Sequence, residues 1–430
     1  MKLIWLARVL ATALAGALWR FARKLAGRKP RIWHGMQPLH LTPPMVRADR
    51  IAGYPSRNVA VHTRQLGYAL VTNDDFDAVF SDEGIAGDSL HWRALTDLLL
   101  HGDIWVAYFD CHFFPHSRTR RNELVMALVR AMGIHIVVAT HGSDIIQILP
   151  VKSRFDWVGR MQLDYPNWSF EEQTSISRRR TALFGKYADL VLPAHPALLP
   201  FVPRSDVLFE YFPVDIPETP AIPEPHDGPV VIVHAPNHRH VKGTGYVLKA
   251  VERLKASGFA IELLLIEGVP RREALAIYRR ADIIVDQLII GAYGLFALEG
   301  ISLGKPVLTY LDQEHLGNHA FNLPLVNAHP ENVDDVLAAL IAVPELRTRL
   351  GISSREAAIR YQSPEALAEV WDRLYRHVWR REPLALETTV HFDPKRGTRS
   401  LSEDPKVEEF WPVSVSDLMP AIRDAINRLR

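Results

Sequence analysis

The chain has 430 residues, more than one hydrophobic core usually covers, so two domains of roughly 150 to 200 residues are expected. Apolar residues make up 48% and charged residues 23%, the balance of a globular protein rather than a disordered one, and the single cysteine, Cys111, excludes an internal disulfide framework and suits a reducing compartment. The net charge of +1 is unevenly spread: residues 1–48 hold no Asp or Glu, the first 31 hold eight Lys or Arg, and the remainder carries −7. That distribution argues against nucleic-acid binding across the surface and puts any electrostatic partner at the N-terminus.

Residues 1–30 predict a basic amphipathic helix. Arg8, Thr12, Gly16, Arg20 and Lys24 recur every four residues with Arg23 beside them, and the other flanks are Leu, Ile, Trp, Val, Ala and Phe. Such a helix fits the surface of an anionic membrane, with its apolar side in the acyl boundary and its cations among headgroups. Three other readings compete with it. A cleaved signal peptide would have its apolar core cut short by Arg8. A spanning helix would need more than the uninterrupted run 9–19. The plainest alternative is a helix packed on its own protein. The expectation is a cytoplasmic protein held peripherally on the inner face of a membrane.

From Arg31 short β-branched runs alternate with amphipathic helices. Strand 31–35 is followed by a proline-rich loop to Pro44 and a stretch to Asp74 without clear period, where 64–70 resembles a helix end turning into a strand. Strand 76–81, helix 90–100, strand 104–109, helix 121–132 and strand 134–140 follow. A charged, aromatic-rich insertion at 151–170 precedes helix 176–187 and strand 190–192. This alternation predicts parallel strands with helices on both faces, one doubly wound domain over 31–212. The proline-dense stretch 213–229 is expected to be an interdomain linker.

The second domain, 230–362, repeats the pattern: strand 230–234, helix 246–256, strand 261–266, helix 272–280, strand 283–288, helix 295–303, strand 306–311, a short strand at 324–326, and helices 332–341 and 344–361. A helix over 363–386 is long enough to cross back to the first domain. Residues 387–430, of mixed charge with scattered prolines, read as a peripheral extension ending in an amphipathic helix. The fold class is therefore α/β, two doubly wound Rossmann-like domains facing each other across a cleft, where ligands of such folds bind.

Three stretches of the second domain carry a resemblance: an aliphatic strand followed by HAPNHRHVKGTGYVLKAVERL, then YRRADIIVDQL, then GAYGLFALEGISLGKPVL. They resemble the donor domain of GT-B glycosyltransferases, in particular the retaining family four (group 1). The match covers 230–311 well and 189–215 more loosely; the rest of the first domain is similar only in its alternation. The resemblance implies a nucleotide-sugar donor domain at 230–362 and an acceptor-side domain at 31–212.

A nucleotide diphosphate leaving group gains negative charge as its glycosidic bond breaks, so donors must converge on its phosphates. Arg239 and Lys242 stand after the first strand of the donor domain, before Gly243 and a helix N-terminus whose N–H groups and dipole favour anions. In the resembling family an Arg and a Lys here hold the diphosphate. Lys242-Gly243 aligns, whereas the usual spacing would place the arginine at Pro236. Glu299, one turn into a helix opened by Gly294, is placed to accept both ribose hydroxyls. The family has two glutamates separated by seven residues; Glu299 matches the second, and Gly291 stands at the first. Gly291, Tyr293, Gly294 and Leu295 would offer backbone N–H groups to sugar or phosphate. In the first domain His141 follows strand 134–140, where the family often has a histidine contacting the donor sugar, and it is the catalytic candidate; Ser143 and Asp144 could cap the next helix.

His234, His238 and His240, like His315 and His319, lack a convincing third ligand and read as structural or donor-contacting; no metal and no cofactor is expected, and GT-B enzymes are generally metal-independent. Gly243-Thr244-Gly245 lacks the third glycine of a dinucleotide fingerprint. The reading is a glycosyltransferase moving a sugar from a nucleotide diphosphate to an acceptor hydroxyl of a glycan or lipid-linked acceptor, with retention, in surface polysaccharide or glycolipid assembly. The alternatives are a nucleotide-sugar epimerase of the same fold, and a catalytically silent, membrane-attached nucleotide-sugar-binding protein.

Overall fold

A computed structural model describes the chain except residues 1, 37–38, 40, 63–75, 82–88, 115–116, 143, 146–153, 194–197, 199–200, 209–211, 313–322, 385–389, 394–396, 401–414 and 430. The possible helix-to-strand transition at 64–70, Ser143, His315 and His319 lie outside the described residues. The chain divides into two compact units, Met1–Leu149 with Phe170–Pro213 and Pro364–Asp404, and Pro150–Ser169 with Val214–Ser363 and Pro405–Arg430.

The first unit is built on six parallel strands, β1 (Ile32–Met36), β2 (Ser56–His62), β3 (Ala78–Ser81), β4 (Ile104–Tyr108), β5 (His135–Ala139) and β6 (Leu190–Leu192), in the order β3-β2-β1-β4-β5-β6. Every residue of β1 and β4 is buried, as helices on both faces require. Its helices include α1 (Lys2–Leu25), α2 (Thr42–Ile51), α3 (Ser89–His101) and α4 (Thr119–Ala131). The chain then forms α5 (Trp157–Asp164), which groups with the second unit, and α6 (Phe170–Tyr187), which groups with the first.

Helix α2 and strand β2 occupy part of the stretch that showed no period. Two prolines in the first turn of α2 are compatible with a helix start, since their missing N–H groups would have had no intrahelical partner. Its buried Asp49 accepts from Tyr375 at 2.9 Å and meets His34 at 2.6 Å. Tyr375 belongs to helix Pro364–Arg380, which groups with this unit.

The polar row of α1 does not face solvent along its length. Gly16 lies against α3, where a Cβ would stand 2.1 Å from the Leu99 carbonyl oxygen. Arg20 is buried, donating to the carbonyls of Leu99, Gly102 and Met132 at the ends of α3 and α4. An arginine at two helix C-termini satisfies orphan carbonyls and suits both dipoles, which outweighs exposure of its charge. Among the described residues no helix is long and apolar enough to cross a membrane.

The second unit has five parallel strands, β8 (Val230–His234), β9 (Ile261–Leu265), β10 (Ile283–Val285), β11 (Val307–Thr309) and β12 (Val326–Asn327), in the order β12-β11-β10-β8-β9. The strand order reverses between β8 and β10. In open α/β sheets ligands bind beyond the carboxyl ends of the strands at such a switch point. A helical turn, α7 (Arg239–Lys242), and α8 (Thr244–Ala256) follow β8; α9 (Arg271–Tyr278) follows β9, and α10 (Leu295–Ser302) follows β10.

The insertion at 151–170, expected in the first domain, groups largely with this second unit. Asp164 at the end of α5 accepts from the backbone N–H groups of His240 and Val241, at 3.1 and 2.8 Å. Those N–H groups belong to the first turn of α7, so a carboxylate there satisfies donors that the helix itself cannot. The C-terminal extension is shared rather than peripheral. Strands β13 (Val390–Asp393) and β14 (Gly397–Ser400) form an antiparallel sheet with β7 (Ser205–Leu208). Helix Val415–Leu429 places Ile422 and Ala425 in the core of the second unit.

Candidate functional site

The carboxyl ends of β8 and β10 bring most of the expected donor-site residues into one neighbourhood. Lys242 ends α7, and its ammonium lies 3.2 Å from Asp286 Oδ1 and 3.2 Å from Gln287 Oε1, both just beyond β10. Asp286 uses its other oxygen to accept from the Gly294 N–H at 2.8 Å. Gly294 is the N-cap of α10, so one buried carboxylate ties the lysine to the start of that helix. A Cβ at Gly294 would stand 3.4 Å from the Lys242 ammonium and 3.4 Å from Asp286. The cation thus lies where the α10 dipole already favours an anion.

Two glycines let the loops close. Gly243 has φ +78° between α7 and α8, and a Cβ there would meet Ile289 and Leu288 at 3.0 and 3.1 Å. Leu288 N–H donates to the Lys242 carbonyl at 3.1 Å, so the β8 and β10 loops are clasped through backbone. Gly291 has φ +89°, and its carbonyl accepts from the Asp312 N–H at 2.9 Å. A Cβ at this position would stand 2.7 Å from the Asp312 Cβ and 3.3 Å from Tyr310. The position resembling the family's first glutamate is therefore a left-handed turn pressed against the end of β11. Tyr293 and Leu295 are half-buried beside it.

Glu299 lies on α10 and is only 7% exposed. Its Oε1 accepts from Arg271 Nε at 2.7 Å. Burial pushes the carboxyl above the ordinary carboxylate range; Arg271 pulls the other way, while Asp215 and Asp286 push further up. Arg271 was not singled out from sequence, although a signal was there. It opens α9 directly after Pro270, where a cation opposes the helix dipole unless a carboxylate faces it.

Arg239 is set apart from this cluster: it is exposed and holds Glu267 in a two-point ion pair. His234 is a core histidine, with Nδ1 2.7 Å from the Val285 carbonyl and Nε2 2.9 Å from Thr244 Oγ1. Burial lowers its pKa to about 4, so it is neutral at physiological pH. The His238 ring lies tilted against Tyr165, centroids 4.5 Å apart, and burial lowers its pKa as well.

His141 belongs to the first unit and follows β5. Its Nε2 lies 3.1 Å from Asp110 Oδ2, just beyond β4. Asp144 accepts from the N–H groups of His141, Gly142 and Phe109 at 3.1, 2.9 and 3.2 Å, which binds the β5 loop to the end of β4. Burial lowers the His141 pKa, but the charges of Asp144 and Asp110 outweigh it and hold the imidazole near 9. At neutral pH His141 is therefore an imidazolium, a hydrogen-bond donor rather than a base. Asp110, His141 and Asp144 are also the one trio among the described residues with ligand atoms mutually within 4.8 Å. The three backbone donors on Asp144 and the His141–Asp110 bond engage these groups in a hydrogen-bonded clamp.

No family model and no curated protein matches the chain. Solved structures do. Sucrose-phosphate synthase from Thermosynechococcus elongatus aligns over 83% of this chain and 100% of its own, with a TM-score of 0.53 and 13% identity. HepE from Anabaena, in complex with UDP and glucose, aligns over 80% of this chain and 98% of its own, with a TM-score of 0.50 and 10% identity. These likenesses show the fold, which is the GT-B combination of two Rossmann-like domains.

Proposed function

We propose that this protein is a glycosyltransferase that takes a sugar from a nucleotide diphosphate donor. The observation that carries the reading is the gathering of Lys242, Asp286 and the α10 N-terminus at the switch point of the second sheet, with Glu299 one turn further along α10. An ammonium and a helix N-terminus accept a diphosphate, and a buried carboxylate accepts ribose hydroxyls. HepE, of the same fold, is described with UDP and glucose.

In the proposed reaction the bond between the anomeric carbon and the diphosphate oxygen breaks, and an acceptor hydroxyl oxygen forms the new bond to that carbon. Lys242 neutralises charge growing on the leaving diphosphate, and a phosphate oxygen of that group takes the acceptor proton. His141, as an imidazolium, supplies a donor to a sugar hydroxyl. Retention at the anomeric carbon, kinship with family four, and a glycan or lipid-linked acceptor in surface polysaccharide or glycolipid assembly belong to the same proposal. So do independence from metal and cofactor, and cytoplasmic residence with attachment to an anionic membrane through residues 1–30.

A thermal-shift and calorimetric panel of nucleoside diphosphates and their sugars tests the donor site before any acceptor is known. The expected result is binding by at least one nucleotide sugar, with Lys242→Gln weakening a nucleoside diphosphate tenfold or more while leaving the bare nucleoside unaffected. Absence of binding across the panel, with Glu299→Ala changing nothing, defeats the reading. Binding without turnover of any donor assigns the protein to the silent class instead.

A further inference from the structure

Outside the donor site, the surface that asks for a partner is the outer face of α1. Leu10, Leu14, Leu18, Phe21 and Leu25 are between 47% and 74% exposed. At 100° per residue they fall within an arc of about 80°, and from first to last they extend along about 22 Å of helix. Single exposed leucines are ordinary on a protein surface, but a continuous row of five large apolar side chains is not.

The opposite face explains why the row cannot turn inward. Val9 and Ala13 are buried, Gly16 touches the α3 backbone, and Arg20 donates to Leu99 and Gly102 at 2.9 and 3.1 Å and to Met132 at 2.9 Å. Arg23 lies 3.3 Å from buried Asp103. Rolling α1 to cover its leucines would strip the Arg20 guanidinium and three helix-end carbonyls of their partners. The helix is therefore locked onto its own protein with the apolar row outward.

Charge decides what covers the row. Residues 1–48 hold no acidic side chain, and Lys24 and Arg28 are exposed at the C-terminal end of α1. Arg380 joins them, donating to the Gly27 carbonyl at 3.4 Å and lying 3.8 Å from half-exposed Glu382. A second copy of α1 would offer these cations no acidic side chain in either direction of pairing. A bilayer with anionic headgroups offers an apolar interior to the row and opposite charge to its rim.

We propose that α1 is a preformed in-plane membrane anchor, burying Leu10, Leu14, Leu18, Phe21 and Leu25 in the acyl layer of an anionic bilayer with Lys24, Arg28 and Arg380 among its phosphates. This deepens the peripheral-attachment reading and rests on it. It also assigns Arg20 and Arg23 to holding the helix on the protein rather than to lipid.

Co-sedimentation of the full chain with vesicles of phosphatidylcholine alone, or with one third phosphatidylglycerol, tests it. The wild type is expected to bind the anionic vesicles and to retain part of that binding in 0.5 M NaCl. Leu14→Ser/Leu18→Ser/Phe21→Ser, all at exposed positions, is expected to bind at least tenfold more weakly with an unchanged melting temperature. Lys24→Gln/Arg28→Gln is expected to lose the preference for anionic lipid. Failure of the wild type to bind either vesicle overturns attachment itself. Binding that the triple serine variant leaves intact overturns the assigned face while attachment stands. A dimer that the triple variant dissociates, without vesicle binding, shows that a second copy covers the row and overturns the proposal.

Discussion

Arg271 faces Glu299 across 2.7 Å, joining a cation at the start of α9 to a carboxylate buried in α10. Asp215 and Asp286 both disfavour charge on Glu299, so Arg271 is the group that offsets burial. Removing it leaves a buried carboxyl among acids, which takes up a proton instead of staying charged. In Arg271→Gln nucleotide affinity is therefore expected to fall tenfold or more at pH 6 and to recover toward pH 9, whereas Arg271→Lys keeps most of it. Stability has the opposite sign. A carboxyl whose folded pKa lies above its ordinary value of 4.5 favours folding most below that value, and the contribution is lost as pH rises through the folded pKa. The melting deficit of Arg271→Gln should accordingly be greater at pH 8 than at pH 5. A flat affinity profile with a uniform deficit would show that the arginine only fills space.

Gly291 yields a prediction from backbone alone. At φ +89° a side chain is strained, and the Cβ would stand 2.7 Å from the Cβ of Asp312, an atom that cannot swing away. Gly291→Ala is expected to destabilise the protein by roughly 1–3 kcal/mol, and Gly291→Glu at least as much. Introducing the glutamate that the resembling family has at this position should thus lower activity rather than raise it. Urea unfolding checks the cost, and Gly291→Ala combined with Asp312→Gly should recover the part that comes from the clash. Equal losses in the single and double variants would assign the whole effect to φ.

The alternation of strands and helices was legible because short apolar, almost wholly buried strands such as IWVAY and VVIVH alternate with amphipathic helices. The candidate site was legible for a related reason: Lys242, Gly294 and Glu299 sit at fixed offsets from strand ends and helix starts. What the sequence concealed lies in pairings between distant positions. Nothing local marks Arg271 as the partner of Glu299 except its unfavourable place at a helix start. The period of four in α1 correctly indicated two faces, but period alone does not say which face meets the protein; α3 and α4 decide that by offering Arg20 their last carbonyls. The prolines of α2 read as loop in the sequence, although at a helix start they remove no intrahelical bond. Chain order alone puts residues 151–170 in the first domain, and their grouping shows only in distant contacts: Asp164 at the first turn of α7, Arg160 on the Tyr246 hydroxyl and Tyr165 against His238.

His141 supplies a prediction about pH. Its ordinary value of 6.5 is carried to about 9 in the folded protein, with Asp144 and Asp110 overcoming burial. Arg180 opposes them, and the folded imidazole still binds more protons than the unfolded one between these two pH values. The stabilisation is therefore complete below pH 6.5 and is lost as pH rises to about 9, a change of about 3 kcal/mol at most. Urea midpoints measured from pH 6 to 9.5 should fall across that window in the wild type. In His141→Asn the slope should flatten, and in Asp110→Asn the fall should be smaller and end at lower pH. If donor turnover depends on the imidazolium as a hydrogen-bond donor, its loss on the alkaline side should follow the same titration and shift with Asp110→Asn. A turnover profile that rises through this range would instead make His141 a base, and would contradict the charge that its two carboxylates impose.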